Sequence, residues 1–160
     1  MTAFMWNDVI SSVAAIVDID LTDAGISIEA VQPLLAQNCK TPLMFPSRNP
    51  SINVTSVKRF SFGAATNGGR RHKGTTTYTL DWIYLHIEYT KGLLPHEYEV
   101  PIRQNLARIF RAIVRNDRAL GVGRVLPTSA EIDYNIQDPT SGKLFLGAHV
   151  VLAVDEIYEL

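Results

Sequence analysis

One cysteine, Cys39, stands in the 160 residues of the chain. A lone thiol cannot close an internal disulfide, and it excludes a cysteine-rich zinc site. Acid is missing from the whole interval between Glu29 and Asp81. Long apolar runs are missing as well. Nothing approaches the ~20 residues of a membrane span, so a membrane is not among the expected partners. The opening MTAFMWNDVISS lacks the basic and cleanly apolar regions of a signal peptide, which predicts a chain that is cytoplasmic at synthesis. Without such a signal the sequon Asn53-Val54-Thr55 reads as incidental. No G-x-x-x-x-G-K-[ST], H-E-x-x-H, G-x-S-x-G or G-x-G-x-x-G occurs, so no catalytic signature stands on its own.

What is present is an ordinary globular composition, 46% apolar and 19% charged, with a net charge of −1. The length suits one domain over 1–160 with a core of its own. Charge is unevenly spread. The acid-free interval carries Lys40, Arg48, Lys58, Arg59, Arg70, Arg71 and Lys73, and a second basic run extends from Arg103 to Arg124. Acids gather near the two ends, at Asp8, Asp18, Asp20 and Asp23 and again at Asp155, Glu156 and Glu159. A chain polarised in this way suits contact between copies of itself, or with a local anionic partner.

Periodicity supplies the elements. Val9, Ile10, Val13, Ile16 and Val17 form a helical stripe, with Asn7 placed to cap it and Asp8 in its first turn. Ile26 to Asn38 divides into an extended ISIEAVQ and a short helix PLLAQN, and Leu43 to Phe45 reads as a short edge strand among prolines. Ile52 to Phe62 and Thr75 to Tyr89 read as strands. The second is dense in Thr, Tyr, Trp and Ile and partly apolar on both faces. Between them lies GAATNGGRRHKGTTT, Gly63 to Thr77, too long for a tight turn. It is therefore the tip of a long projecting hairpin. Ile102, Leu106, Ile109, Phe110, Ile113 and Val114 make the clearest helical stripe, opened by Pro101 and closed by Gly121 and Gly123. Ala130, Ile132, Tyr134 and Ile136 alternate with polar residues, DPTSG turns, and Leu144 to Val154 is apolar at every second position. Strands grouped around two main helices predict an α+β fold: a mostly antiparallel sheet with a long hairpin, packed by the two helices.

Candidate sites are basic rather than catalytic. At 100° per residue Arg108, Arg111, Arg115 and Arg118 share one sector opposite the apolar stripe, a ridge on the outer face of the helix. Arg70, Arg71, His72 and Lys73 mark the arm. Three readings stand for these cations: a solvated surface, a clamp on the acidic ends of a neighbouring copy, or a base-independent contact with DNA phosphates. The arm holds no aromatic, which argues against stacking on single-stranded bases. His86, Glu88 and His96 would have to converge to make an acid–base or metal site, and their spacing does not force that. Asp18, Asp20 and Asp23 lack the glycine and distal Glu of a calcium loop. No metal, no cofactor and no enzyme activity is expected.

The leading helix NDVISSVAAIV, the proline-punctuated TPLMFPSRNP, the strand pair SVKRFSFG and TYTLDWIYLHIEY, the helix IRQNLARIFRAIV and the closing AEIDYNIQD with LFLGAHVVLAVDEIYEL follow in an order that resembles the tail-terminator, or neck-terminator, proteins of long-tailed bacteriophages. The likeness covers nearly the whole chain and rests on element order and length. It implies a virion subunit, assembled in the host cytoplasm, that forms a homo-oligomeric, hexameric ring. The ring ends the tail tube and meets the head-side connector, with DNA passing through its lumen. It also implies that a long hairpin loop, here Gly63 to Thr77, faces a neighbour or the channel. Ile26 to Pro50 departs from the pattern and leaves open another neck, connector or tail-tube role. A sequence-nonspecific nucleic-acid-binding module is the alternative.

Overall fold

The computed structural model describes residues 6–30, 40–47, 59–62, 73–116, 123–138 and 141–159. Helix α1 (Trp6–Leu21) runs into a 3₁₀ turn, Thr22–Ala24, and ends at Gly25, whose φ of 70° is the left-handed stop that glycine adopts at no steric cost. Strands β1 (Ser27–Ile28), β2 (Leu43–Pro46), β3 (Arg59–Phe62) and β4 (Lys73–Glu88) follow. A second 3₁₀ turn, Pro95–Tyr98, leads directly into helix α2 (Glu99–Arg115), and β5 (Gly123–Gln137) and β6 (Leu144–Glu159) close the chain.

All six strands belong to one sheet in the order β1-β2-β4-β6-β5, with β3 paired to the far part of β4. Only β1 and β2 are parallel; every other pairing is antiparallel. The α+β architecture with a mostly antiparallel sheet follows from the patterns in the sequence. β6 lies between β4 and β5, as its unbroken apolar alternation requires.

Both helices pack on one face of the sheet. Val9, Val13 and Val17 of α1 and Ile102, Ile109 and Ile113 of α2 share a core with Leu80, Trp82 and Tyr84 of β4 and with Leu146, Val150 and Leu152 of β6. Each fully buried side chain of this size contributes on the order of 1.5–3 kcal/mol by leaving water. A second, smaller cluster lies on the opposite face: Leu43, Phe45, Leu85, Ile136 and Phe145, with Ile83 packed beside it.

Two irregularities explain that second cluster. Between Leu85 and Ile87 the β4–β6 register shifts, leaving His86 as the extra residue and turning Ile87 to the helix side. Between Asp133 and Ile136 the β5–β6 register shifts as well. Strict alternation would put Ile136 beside Ile132 and Tyr134; the bulge carries it through the sheet, opposite Phe145, into the second cluster. Ala130, expected on the buried face of β5, is exposed.

Other differences are local. β2 is an inner strand, because the two-residue β1 pairs along its free side. α2 begins at Glu99, ahead of Pro101, since the 3₁₀ turn opened by Pro95 already sets its first turn. It ends at Arg115, and Gly123 opens a strand. The tail DEIYEL continues β6 as far as Glu159. The helix expected at PLLAQN, the first part of the Ile52 to Phe62 strand, Cys39 and the tip of the arm lie outside the described residues. No described helix is long and apolar enough to cross a membrane.

Candidate functional site: a basic helix ridge and an acidic sheet face

The two helices end side by side. Asn116, capping α2, donates from Nδ2 to Asp20 of α1 at 2.6 Å and to the Ala112 carbonyl at 2.8 Å. Two helix C-termini, each with partial negative charge, therefore meet where Asp18, Asp20 and Asp23 already lie, and the last turn of α1 has no basic residue of its own. α2 supplies the counter-charge. Arg108, Arg111 and Arg115 line a shallow groove of about 240 Å³ together with Asp20, Leu21, Asp23, Ala24 and Ala112. Arg115 stands 4.0 Å from Asp20, with two-thirds of its side chain in water.

The ridge read from the helical wheel therefore exists for Arg108, Arg111 and Arg115, and it borders α1 as well as solvent. Arg111 makes no ion pair among the described residues. Arg118, Arg70, Arg71 and His72 lie outside them. Lys73 opens β4, and the register puts it opposite Glu159 of the same chain, so the root of the arm already faces one acidic end.

Arg108 also starts a chain of hydrogen bonds that reaches into the core. Its guanidinium donates to Asn105 Oδ1 at 3.2 Å, and Asn105 Nδ2 donates to the Tyr84 hydroxyl at 2.8 Å. The Tyr84 hydroxyl, whose oxygen already accepts from Asn105, donates to His86 Nδ1 at 2.7 Å. That assignment makes His86 neutral with its proton on Nε2. The His86 ring packs edge-on against Tyr98 at 6.0 Å between centroids. Burial pushes the Tyr84 hydroxyl up to about 12, against the opposing effects of the Asn105 bond and the Arg108 charge. Burial pushes His86 down.

Asn105 was not singled out from the sequence, although a signal existed. It sits three residues after Ile102 and four before Ile109, a polar residue inside the apolar stripe. Buried polar groups in such positions need a partner, and here it is Tyr84.

The face of the sheet away from the helices carries a different set. Directly opposed residues share a face, so Ile83, His149 and Glu131 form one row across β4, β6 and β5. Asp81, Val151 and Ser129 form the row on one side of it, and Leu85, Gly147 and Asp133 the row on the other. His149 Nε2 lies 2.9 Å from Asp133 Oδ2. Burial pushes the Asp133 carboxyl up, but the His149 hydrogen bond, the Asn135 backbone N–H and the His149 charge outweigh it and hold the group below its ordinary value. Asp81 is raised by burial, partly offset by His149. Two aspartates and Glu131 thus surround one imidazole on an open sheet.

The residues of a conceivable acid–base site go separate ways. His86 turns to Tyr84 and Tyr98, Glu88 lies 3.9 Å from Lys143, and His96 is exposed on the 3₁₀ turn. His86 is half-buried rather than solvated. Asp18, Asp20 and Asp23 belong to the end of α1 and its 3₁₀ turn, not to a loop. Among the described residues no group of three or more His, Cys, Asp or Glu could hold a metal ion. No protein-family model and no curated protein matches the chain.

Proposed function

We propose that the chain is a structural virion subunit that works by adhesion to copies of itself, closing into a ring that ends a tail tube and joins it to a head-side connector. The observation that carries this reading is the ribbon β4–β6–β5. Its strands of 15 and 16 residues reach roughly 50 Å at the usual rise per residue. The helix packed on it, α2 with 17 residues, covers only about 25 Å. A core of this size needs no strand of that length. A subunit that must hold a loop out to a neighbour or to a channel does. Phe62 and Lys73, the described residues on either side of the arm's basic stretch, stand at the ribbon's far end, with Lys73 to Thr77 already part of β4.

Charge supports the same reading. Ring closure needs two unlike surfaces on one molecule, and a ridge of arginines and a patch of carboxylates on opposite sides of the sheet supply them.

Size-exclusion chromatography with light scattering, followed by negative-stain imaging, tests the proposal. Closed rings that loosen as salt rises are expected. A particle that stays monomeric at high concentration, alone and with tail-tube protein added, would refute it.

A further inference from the structure

We propose that neighbouring copies meet through opposite faces: the Arg108–Arg111–Arg115 ridge of one copy docks on the Asp81–Glu131–Asp133 patch of the next. This pairing rests on the ring reading and names its two surfaces.

Three observations carry it. The ridge and the patch lie on opposite sides of the molecule, because α2 packs on the face of the sheet that Asp81, Glu131 and Asp133 turn away from. A surface on each side lets one subunit hold two neighbours at once, which a single self-complementary patch cannot do. The signs are opposite and neither set is used up internally. Glu131 is exposed, Asp81 and Asp133 are half-buried, and among the described residues the basic side chain that pairs within the patch is His149, on Asp133. Arg108 is held by a neutral amide, Arg111 has no acidic partner among the described residues, and Arg115 reaches Asp20 only at 4.0 Å.

The spacings also fit. Arg108, Arg111 and Arg115 advance by about 4.5 and 6 Å along α2, and successive rows of the sheet face are about 6.6 Å apart. A helix lying along the ribbon can set one guanidinium near each acidic row. Ile83 and Val151, half-buried in those rows, add apolar area beneath the charges.

Charge reversal tests the pairing. One variant carries Glu131→Arg and Asp133→Arg, the other Arg108→Glu and Arg111→Glu. Each alone presents like charges on its two faces and should associate at least ~100-fold more weakly than the unmodified chain. Mixed in equal amounts, the two should recover assembly, since each then offers the other the opposite sign on both sides. Sedimentation velocity reads the association, and circular dichroism checks that both variants fold. If either reversed variant assembles as well as the unmodified chain, or if two folded variants fail to recover on mixing, the pairing is wrong while the ring reading stands. If the unmodified chain never associates, both fall. Should a double variant fail to fold, Arg111→Glu alone, on a solvated helix face, should still weaken association at least ~10-fold. An unchanged association constant there would overturn the pairing.

Discussion

On the helix side the ribbon presents Leu80, Trp82, Tyr84, Val150 and Leu152, all buried; on the other side the same strands present Asp81, Ile83, His149 and Val151, half-buried or exposed. The alternation of a strand sends neighbouring residues to opposite environments, so one stretch of sequence serves two tasks. The helix side holds the larger core; the other side buries the smaller Leu43, Phe45, Leu85, Ile136 and Phe145 cluster and leaves Asp81, His149 and Val151 half-buried or exposed. Mutations on the two sides should therefore separate stability from association.

The sharpest break is expected where the two sides are closest. A Cβ added at Gly147 would stand 1.8 Å from the Tyr84 carbonyl oxygen, which is backbone of the neighbouring strand and cannot step aside. Gly147→Ala should destabilise by at least ~3 kcal/mol, the upper end of overpacking costs, or prevent folding; urea denaturation measures it. Trp82→Ala should cost about 3–5 kcal/mol by the same measurement, since Trp82 is fully buried and its removal leaves a large cavity. Asn105→Leu keeps the branched shape and removes the donor to the Tyr84 hydroxyl. About 1–3 kcal/mol of destabilisation should follow, and Tyr84→Phe in the same background should cost much less than it does alone.

The acid limb of stability reads His86 directly. Its folded value is depressed below the ordinary 6.5, so the folded state disfavours the proton. The stabilisation is complete above about 6.5 and is lost as pH falls through the depressed folded value. Thermal unfolding followed from pH 7 to pH 5 should show that decline, and His86→Phe should flatten it. The smallest effect belongs to the open side: Glu131→Ala, a single exposed carboxylate, should change subunit stability by less than ~0.5 kcal/mol while weakening association. A large stability loss there would mean that the open face is part of the core after all.

The layered plan was legible because its signals were periodic. The stripes of α1 and α2, the alternation of β6 and the dense β4 each required a covered face, and one sheet with two helices satisfies all of them. The bulges were not legible. A register shift at His86 or after Asp133 leaves no mark in composition, because it depends on how long the partner strand runs before its turn. The ridge of Arg108, Arg111 and Arg115 could be drawn on a helical wheel, but its closeness to Asp20 could not. That depends on two helices ending together. The acidic patch was the harder miss. Asp81, Glu131 and Asp133 come from two strands some fifty positions apart, and only the order β4-β6-β5 gathers them around His149.

The pairing of β4 with β6 runs from Lys73 opposite Glu159 to Glu88 opposite Phe145. A pull on the arm along the strand axis would load that whole ladder in parallel, so its hydrogen bonds would have to yield together rather than peel one at a time. The root of the arm at Lys73 is thus anchored in the mechanically strong direction.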